Sequence, residues 1–165
     1  MRWIVWIVGS LVVLGVIVTA IGYSLPQAHS VSRSVRLPLA PEAAYALLSD
    51  VDKYPTWRPG VKSVTRQPDH DGKPAWTEDV GGDKIALRFE RMERPSMLVA
   101  RIADPSLPFG GTWTYRIAPE GSGSTVSITE DGEVYNPIFR FMSRFVFGHT
   151  ATLDDFVRNL EARGR

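Results

Sequence analysis

The stretch Leu47–Val64, LLSDVDKYPTWRPGVKSV, decides the reading of the fold. Before it, Pro41 suits a first helical position and Glu42 a first turn. PEAAYALLSD then offers Ala44, Leu47 and Leu48 as an apolar face, with Tyr45 beside it. Asp50 and Asp52 suit the cap of a second, short helix, DKYPTW, which Pro59-Gly60 ends. After Val61 the period changes to two. Two short helices therefore stand where a strand gives way to a run of strands, and Tyr54 and Trp57 bring large apolar area to a segment stiffened by Pro55 and Pro59.

Outward from this stretch the pattern is regular. Val31–Leu39, VSRSVRLPL, alternates as a strand. Strands are expected near 61–68, 73–80, 83–93, 96–104, 111–119 and 124–134, separated by DHDG, GGD, ERPS, DPSLPFGG and PEGSGS. Gly and Asp tolerate the positive φ of tight hairpins, so the short breaks predict an antiparallel meander. At YNPIFRF the period changes again. Asn136 is a good N-cap and Pro137 a good N1 residue. Ile138, Met142, Phe145, His149, Leu153, Phe156 and Leu160 follow at steps of four or three, which predicts one long helix to the C-terminus. The fold class is α+β. A curved seven-stranded sheet (one strand, two short helices, six strands) grips a terminal helix, and the short helices plug one end of the space between them.

The chain has 165 residues, 44% hydrophobic and 22% charged, with net charge +1 and no cysteine. Near-neutral charge gives no basis for a nucleic-acid partner, and thiolate chemistry is excluded. Trp3–Tyr23, WIVWIVGSLVVLGVIVTAIGY, carries no charge and spans about 30 Å as a helix, the thickness of a hydrocarbon core. Trp3, Trp6 and Tyr23 sit near its ends, where such rings favour headgroups. The chain is therefore read as a transmembrane anchor (1–23), a linker (24–30) and a ligand-binding domain (31–165). A cleaved signal peptide is the rival reading for the first segment. The single Arg2 against Arg33 and Arg36 points weakly to a cytoplasmic domain. The linker reaches at most about 25 Å, so the domain works close to the bilayer. Oligomeric state has no sequence signal.

LPLAPEAAYALLSDVDKYPTWRPGVKSV (37–64) resembles the start of the START/Bet v 1-like (SRPBCC) superfamily, in its polyketide cyclase/dehydrase and lipid-transport branch. GGTWTYRIAPEGSGSTVSITEDGEVYNPIFRFMSRFVFG (110–148) resembles the end of such domains. The likeness covers about residues 31–163. It implies a helix-grip fold with an internal cavity for hydrophobic ligands, in a family of lipid carriers, hormone and quinone binders, cyclases and oxygenase subunits. The transmembrane prefix is not part of the common domain.

Strand alternation sorts the charges. Glu78 falls with Trp76 and Val80, Arg91 with Phe89, Arg101 with Met97 and Val99, and Glu130 with Val126 and Ile128. If these rows point inward, two glutamates and two arginines reach the cavity and anchor a polar headgroup among apolar walls; the alternative is that they lie at strand ends near solvent. The ligand-binding candidates are Trp57, Trp76, Glu78, Phe89, Arg101, Phe109, Trp113, Tyr115, Glu130, Met142, Phe145 and His149. Leu107 and Phe109, in an apolar loop, suit a cavity gate or a membrane contact. His29 and His70 lie in a linker and a turn. No metal-ligand spacing, nucleophile elbow or phosphate loop occurs, so no metal or cofactor is expected. Three functions stay open: a membrane-tethered binder of a lipid or other hydrophobic small molecule, a cyclase/dehydratase-type enzyme with Glu78 or Glu130 as base, and a ligand-free protein-interaction domain.

Overall fold

A computed structural model describes residues 2–148 and 150–164. Helix α1 (Arg2–Ser24) leads through three residues into β1 (Ala28–Leu37). Helix α2 (Pro41–Ser49) and a 3₁₀ turn (Val51–Thr56) follow. Then come β2 (Val61–His70), β3 (Lys73–Val80), β4 (Asp83–Glu93), β5 (Met97–Ile102), β6 (Phe109–Glu120) and β7 (Gly123–Val134). The seven strands form one antiparallel sheet in the order β1-β7-β6-β5-β4-β3-β2. The meander is as expected, and β1 closes it by pairing with β7. The β2–β3 hairpin turns on Asp71 and Gly72, at φ 51° and 67°, a backbone hand that Asp and Gly tolerate best.

Pro41 stands at the N-terminus of α2 as expected. The acidic caps do not form. Asp50 pairs instead with Lys53 at 2.7 Å, and Asp52 takes a bidentate pair from Arg66, two bonds of 2.9 Å. The plug is held by burial: Val51, Tyr54 and Trp57 are all buried, and the Tyr54 hydroxyl donates to the Leu48 carbonyl at 2.6 Å.

The expected single terminal helix is two pieces. Asn136 does cap the first, its side chain accepting from the Ile138 and Phe139 amides at 2.9 and 3.2 Å. Helix α3 (Pro137–Met142) passes into a single π turn (Ser143–Phe147) and stops at Gly148, whose φ is 78°. Helix α4 (Ala151–Gly164) starts afresh. Only α4 grips the sheet. Leu153, Phe156 and Leu160, stepping by three and four, are buried there, and Arg33 on β1 bonds Asp154 at 2.7 Å. Gly164 lies so close to Leu37 that a Cβ on it would sit 2.9 Å from the leucine methyl. The core lies between α4, α2 and the concave face of the sheet, and includes Leu37, Leu48, Val51, Leu98, Val126 and Ile128.

Candidate functional site

Register fixes which side chains enter the concave face. Antiparallel partners share a side. Trp76 pairs with Leu87, Phe89 with Ala100, Ala100 with Trp113 and Trp113 with Glu130. Glu78 lies two residues from Trp76 on the same side and Tyr115 two from Trp113. The interior row therefore contains Trp76, Glu78, Phe89, Trp113, Tyr115 and Glu130. Trp57 joins them from the plug, and Phe156 from α4. Phe156 is the hub. Its ring centroid lies 5.5 Å from Trp57, 5.3 Å from Trp113 and 5.7 Å from Tyr115. Trp76 and Phe89 meet at 4.8 Å between ring centroids, tilted by 48°. Such pairs are favourable beyond their buried area. The space expected beneath the gripping helix is thus taken up by rings.

Arg101 does not belong to this set. Its partners Arg88 and Thr112 lie on the convex face, where its guanidinium pairs with Glu90. A bulge between Phe89 and Arg91 shifts the register by one, so Arg91 also turns outward, to Glu93 at 2.6 Å. One extra residue reverses every later side chain on a strand. The two expected inward arginines are therefore surface residues.

The cation that meets Glu78 is Arg58, which alternation did not select. It follows Trp57 in the plug and reaches Glu78 at 2.9 Å, with side chains 20% and 4% exposed. Glu78 also accepts from the Trp76 indole at 3.0 Å. The Arg58 guanidinium lies 4.7 Å from the Tyr54 ring centre and 5.2 Å from that of Phe156, within cation–π range. Alternation gave no signal for it, because Arg58 lies outside every strand and Arg91 and Arg101 already stood as candidate partners for the inward glutamates.

Glu130 is different. Burial pushes its carboxyl up to about 7, against a smaller downward pull from a hydrogen bond with the Trp113 side chain. Its Oε2 is buried with no hydrogen-bond partner, as is Trp57 Nε1. Burial likewise raises the Tyr115 hydroxyl well above its ordinary value, and Tyr54, Arg58, Glu78 and Glu130 all act on it. The interior polar groups thus surround Tyr115, with Glu78 neutralised by Arg58 and Glu130 left without a counter-ion.

Glu130 also stands at an edge of cover. Its β1 partner is Val31, the inward residue next to Arg33, where α4 has its first turn. The next inward pair, His29 and Gly132, borders an open concavity of about 340 Å³, lined also by Ala28, Ser30, Asp131 and Glu133. A smaller one of about 150 Å³ lies at the His70 hairpin. His29 is a strand residue, not a linker residue, and its ring fills the space where a Gly132 side chain would stand.

The remaining candidates fall outside the ring cluster. Phe109 is no loop residue: it opens β6, half-buried and paired with Val134. Met142 ends α3, half-buried. Phe145, in the π turn, is 60% exposed and touches Phe141 at 4.9 Å. It leaves the site because the helix break separates it from Phe156. His149 lies outside the described residues.

Residues 28–164 match the family model for polyketide cyclase / dehydrase and lipid transport. The chain belongs to this family. Solved structures agree on the fold. A START superfamily protein from Mycobacterium smegmatis is 20% identical, with TM-score 0.66, over 82% of this chain and 97% of that one. The Zhui aromatase/cyclase from Streptomyces sp. R1128 is 11% identical, with TM-score 0.65, over 83% and 93%. Ginseng major latex-like protein 151 from Panax ginseng is 12% identical, with TM-score 0.59, over 84% and 99%. No curated protein matches the sequence. The protein has the helix-grip fold of the SRPBCC superfamily. It adds one N-terminal helix long and apolar enough to cross a membrane.

Proposed function

We propose that the protein is a membrane-tethered binding module for a lipid or other hydrophobic small molecule bearing a hydrogen-bonding head. The observation that carries this reading is Glu130, a carboxyl set among Trp113, Tyr115 and Val31 with one oxygen unpartnered. Buried polar groups are costly without partners, and a ligand hydroxyl or carbonyl supplies one. A carboxyl titrating near 7 is largely protonated at slightly acid pH and then donates to such an oxygen. The apolar remainder would run from Glu130 toward the open concavity bordered by His29 and Gly132. Helix α1 supports the tether: all its described residues except Val18, Thr19 and Gly22 are exposed, and an uncovered apolar surface of this size belongs in lipid.

The ring-filled half beneath α4 suits a ligand-free interaction domain equally well. The unpaired carboxyl of Glu130 supports the binder over it. The same carboxyl favours a second reading, a cyclase-type enzyme. A base titrating near 7 is well matched to proton abstraction at neutral pH, and Arg58 and Tyr115 offer donors to a developing enolate.

The test is mass spectrometry of the full chain, stripped of lipid in detergent and then exposed to a total membrane lipid extract. Wild type retains one apolar species, and Glu130→Leu loses at least tenfold in retention. Absence of any bound molecule in the wild type refutes the binding reading. Turnover of a poly-β-keto thioester, with a pH–rate inflection near 7 that Glu130→Gln abolishes, selects the enzyme.

A further inference from the structure

The segment that leaves the grip, residues 137–148, is PIFRFMSRFVFG. Six of its side chains bear on what surrounds it. Ile138 and Phe139 are 48% and 49% exposed, Phe145 and Val146 are 60% and 58% exposed, and Arg140 and Arg144 are its only charges. A domain surface facing water rarely carries such a patch.

Its position explains the patch. Helix α3 packs against the end of α1. A Cβ on Gly22 would fall 1.9 Å from the Pro137 carbonyl oxygen, so only glycine permits the approach. Arg140 ties the two together, donating to the Gly22 and Leu25 carbonyls at 3.3 and 3.2 Å and to the Tyr135 carbonyl at 2.9 Å. It thereby satisfies one of the last carbonyls of α1, at Gly22, and the first beyond that helix, at Leu25, and places a cation at its negative end. The exposed apolar side chains of 137–148 therefore begin at the level where α1 would leave the hydrocarbon.

We infer that residues 137–148 form a second membrane contact, lying in the headgroup–acyl boundary of the leaflet from which α1 emerges. Apolar side chains mixed with arginines and no acid are the composition of interfacial helices, which bury about 5–10 Å into that boundary. Arg140 is committed to the joint with α1, so the phosphate contact falls to Arg144, whose stem lies along apolar surface while its guanidinium reaches the headgroups. This rests on the reading of α1 as a membrane span, and it turns the Glu130 end of the concave face, next to α3, toward lipid.

The absence of native cysteine makes the test direct. Single variants Val12→Cys, Phe139→Cys, Val146→Cys and Arg91→Cys of the full chain are spin-labelled and reconstituted in phosphatidylcholine–phosphatidylglycerol vesicles. Collision with oxygen is compared with collision with a water-soluble nickel complex. The ratio at residues 139 and 146 is expected to be several-fold above that at 91 and below that at 12. Ratios at 139 and 146 equal to that at 91, with 12 still deep, overturn the interfacial contact and leave the tether standing. A water-like ratio at 12 overturns both. Two independent positions guard against a label that disturbs one site.

Discussion

Replacing Glu130 by Gln tests the electrostatics of the interior. An unperturbed glutamate titrates at 4.5, and Glu130 in the fold at about 7. The fold therefore favours the protonated form. Its contribution is fully present below 4.5 and is lost as pH rises through 7. Each unit corresponds to about 1.4 kcal/mol, so the loss approaches about 3 kcal/mol by pH 8. For a domain of this size that is a fall in Tm of about 10 °C. Gln keeps the shape and the hydrogen-bonding capacity but does not titrate. Thermal unfolding of the full chain in detergent, followed by tryptophan fluorescence from pH 4.5 to 8, should show the wild type falling relative to Glu130→Gln. The variant should be about 3 kcal/mol the more stable at pH 8 and nearly equal at pH 4.5. Carboxylates such as Asp52, held low by its hydrogen bond with Arg66, act in the opposite sense and below this window. Parallel Tm–pH curves for the two proteins would refute the burial and isolation of Glu130.

Arg58→Met leaves Glu78 buried beside Trp76 without its cation and should cost about 3–5 kcal/mol in urea unfolding, most of it recovered in the double variant Arg58→Met/Glu78→Leu. If the single and double variants lose equally, the pair is not coupled as the 2.9 Å contact implies. Phe156→Ala removes the hub of the aromatic cluster and should cost about 3–5 kcal/mol, with a red shift of tryptophan emission as water reaches Trp57 and Trp113. Arg101→Ala should change stability by less than about 1 kcal/mol, since its pair with Glu90 is on the convex surface, and should leave lipid retention unchanged. A loss of retention would contradict the β4–β5 register.

The strand order, the hairpins and the inward glutamates were legible because alternation and turn chemistry are local. Glu78 and Glu130 follow from a period of two counted over four residues. Arg91 did not, because a bulge is a property of the pairing of β4 with β5 and leaves no mark on the alternation of β4 itself. Arg101 was misplaced for a related reason. MLVARIA is apolar at both parities, so Met97–Val99 and Leu98–Ala100 are equally good inward rows. Only the pairing of Leu98 with Tyr115 selects the second. Arg58 was hidden because it lies in no periodic element: its direction is set by a 3₁₀ turn and two prolines. The rise of Glu130 toward 7 depends on where α4 stops, which no local pattern encodes.

That stopping point has a geometric cause. A continuous helix from Asn136 to Gly164 would be about 43 Å long. Its contacts fix the alignment, with Gly164 beside Leu37 and Asp154 beside Arg33. From Asp154 back to Ile138 such a helix would run about 24 Å, whereas β1 extends only five residues, about 17 Å, from Arg33 to Ala28. The helix would overshoot the sheet and leave Ile138 with no surface to bury against. Breaking at Gly148 solves this by turning the apolar run onto the end of α1. The spacing of Ile138, Met142 and Phe145 is thus truly helical, yet the face it defines serves a different neighbour from that of Leu153, Phe156 and Leu160. Periodicity reports that a face is apolar; the length of the opposing sheet decides what it can cover.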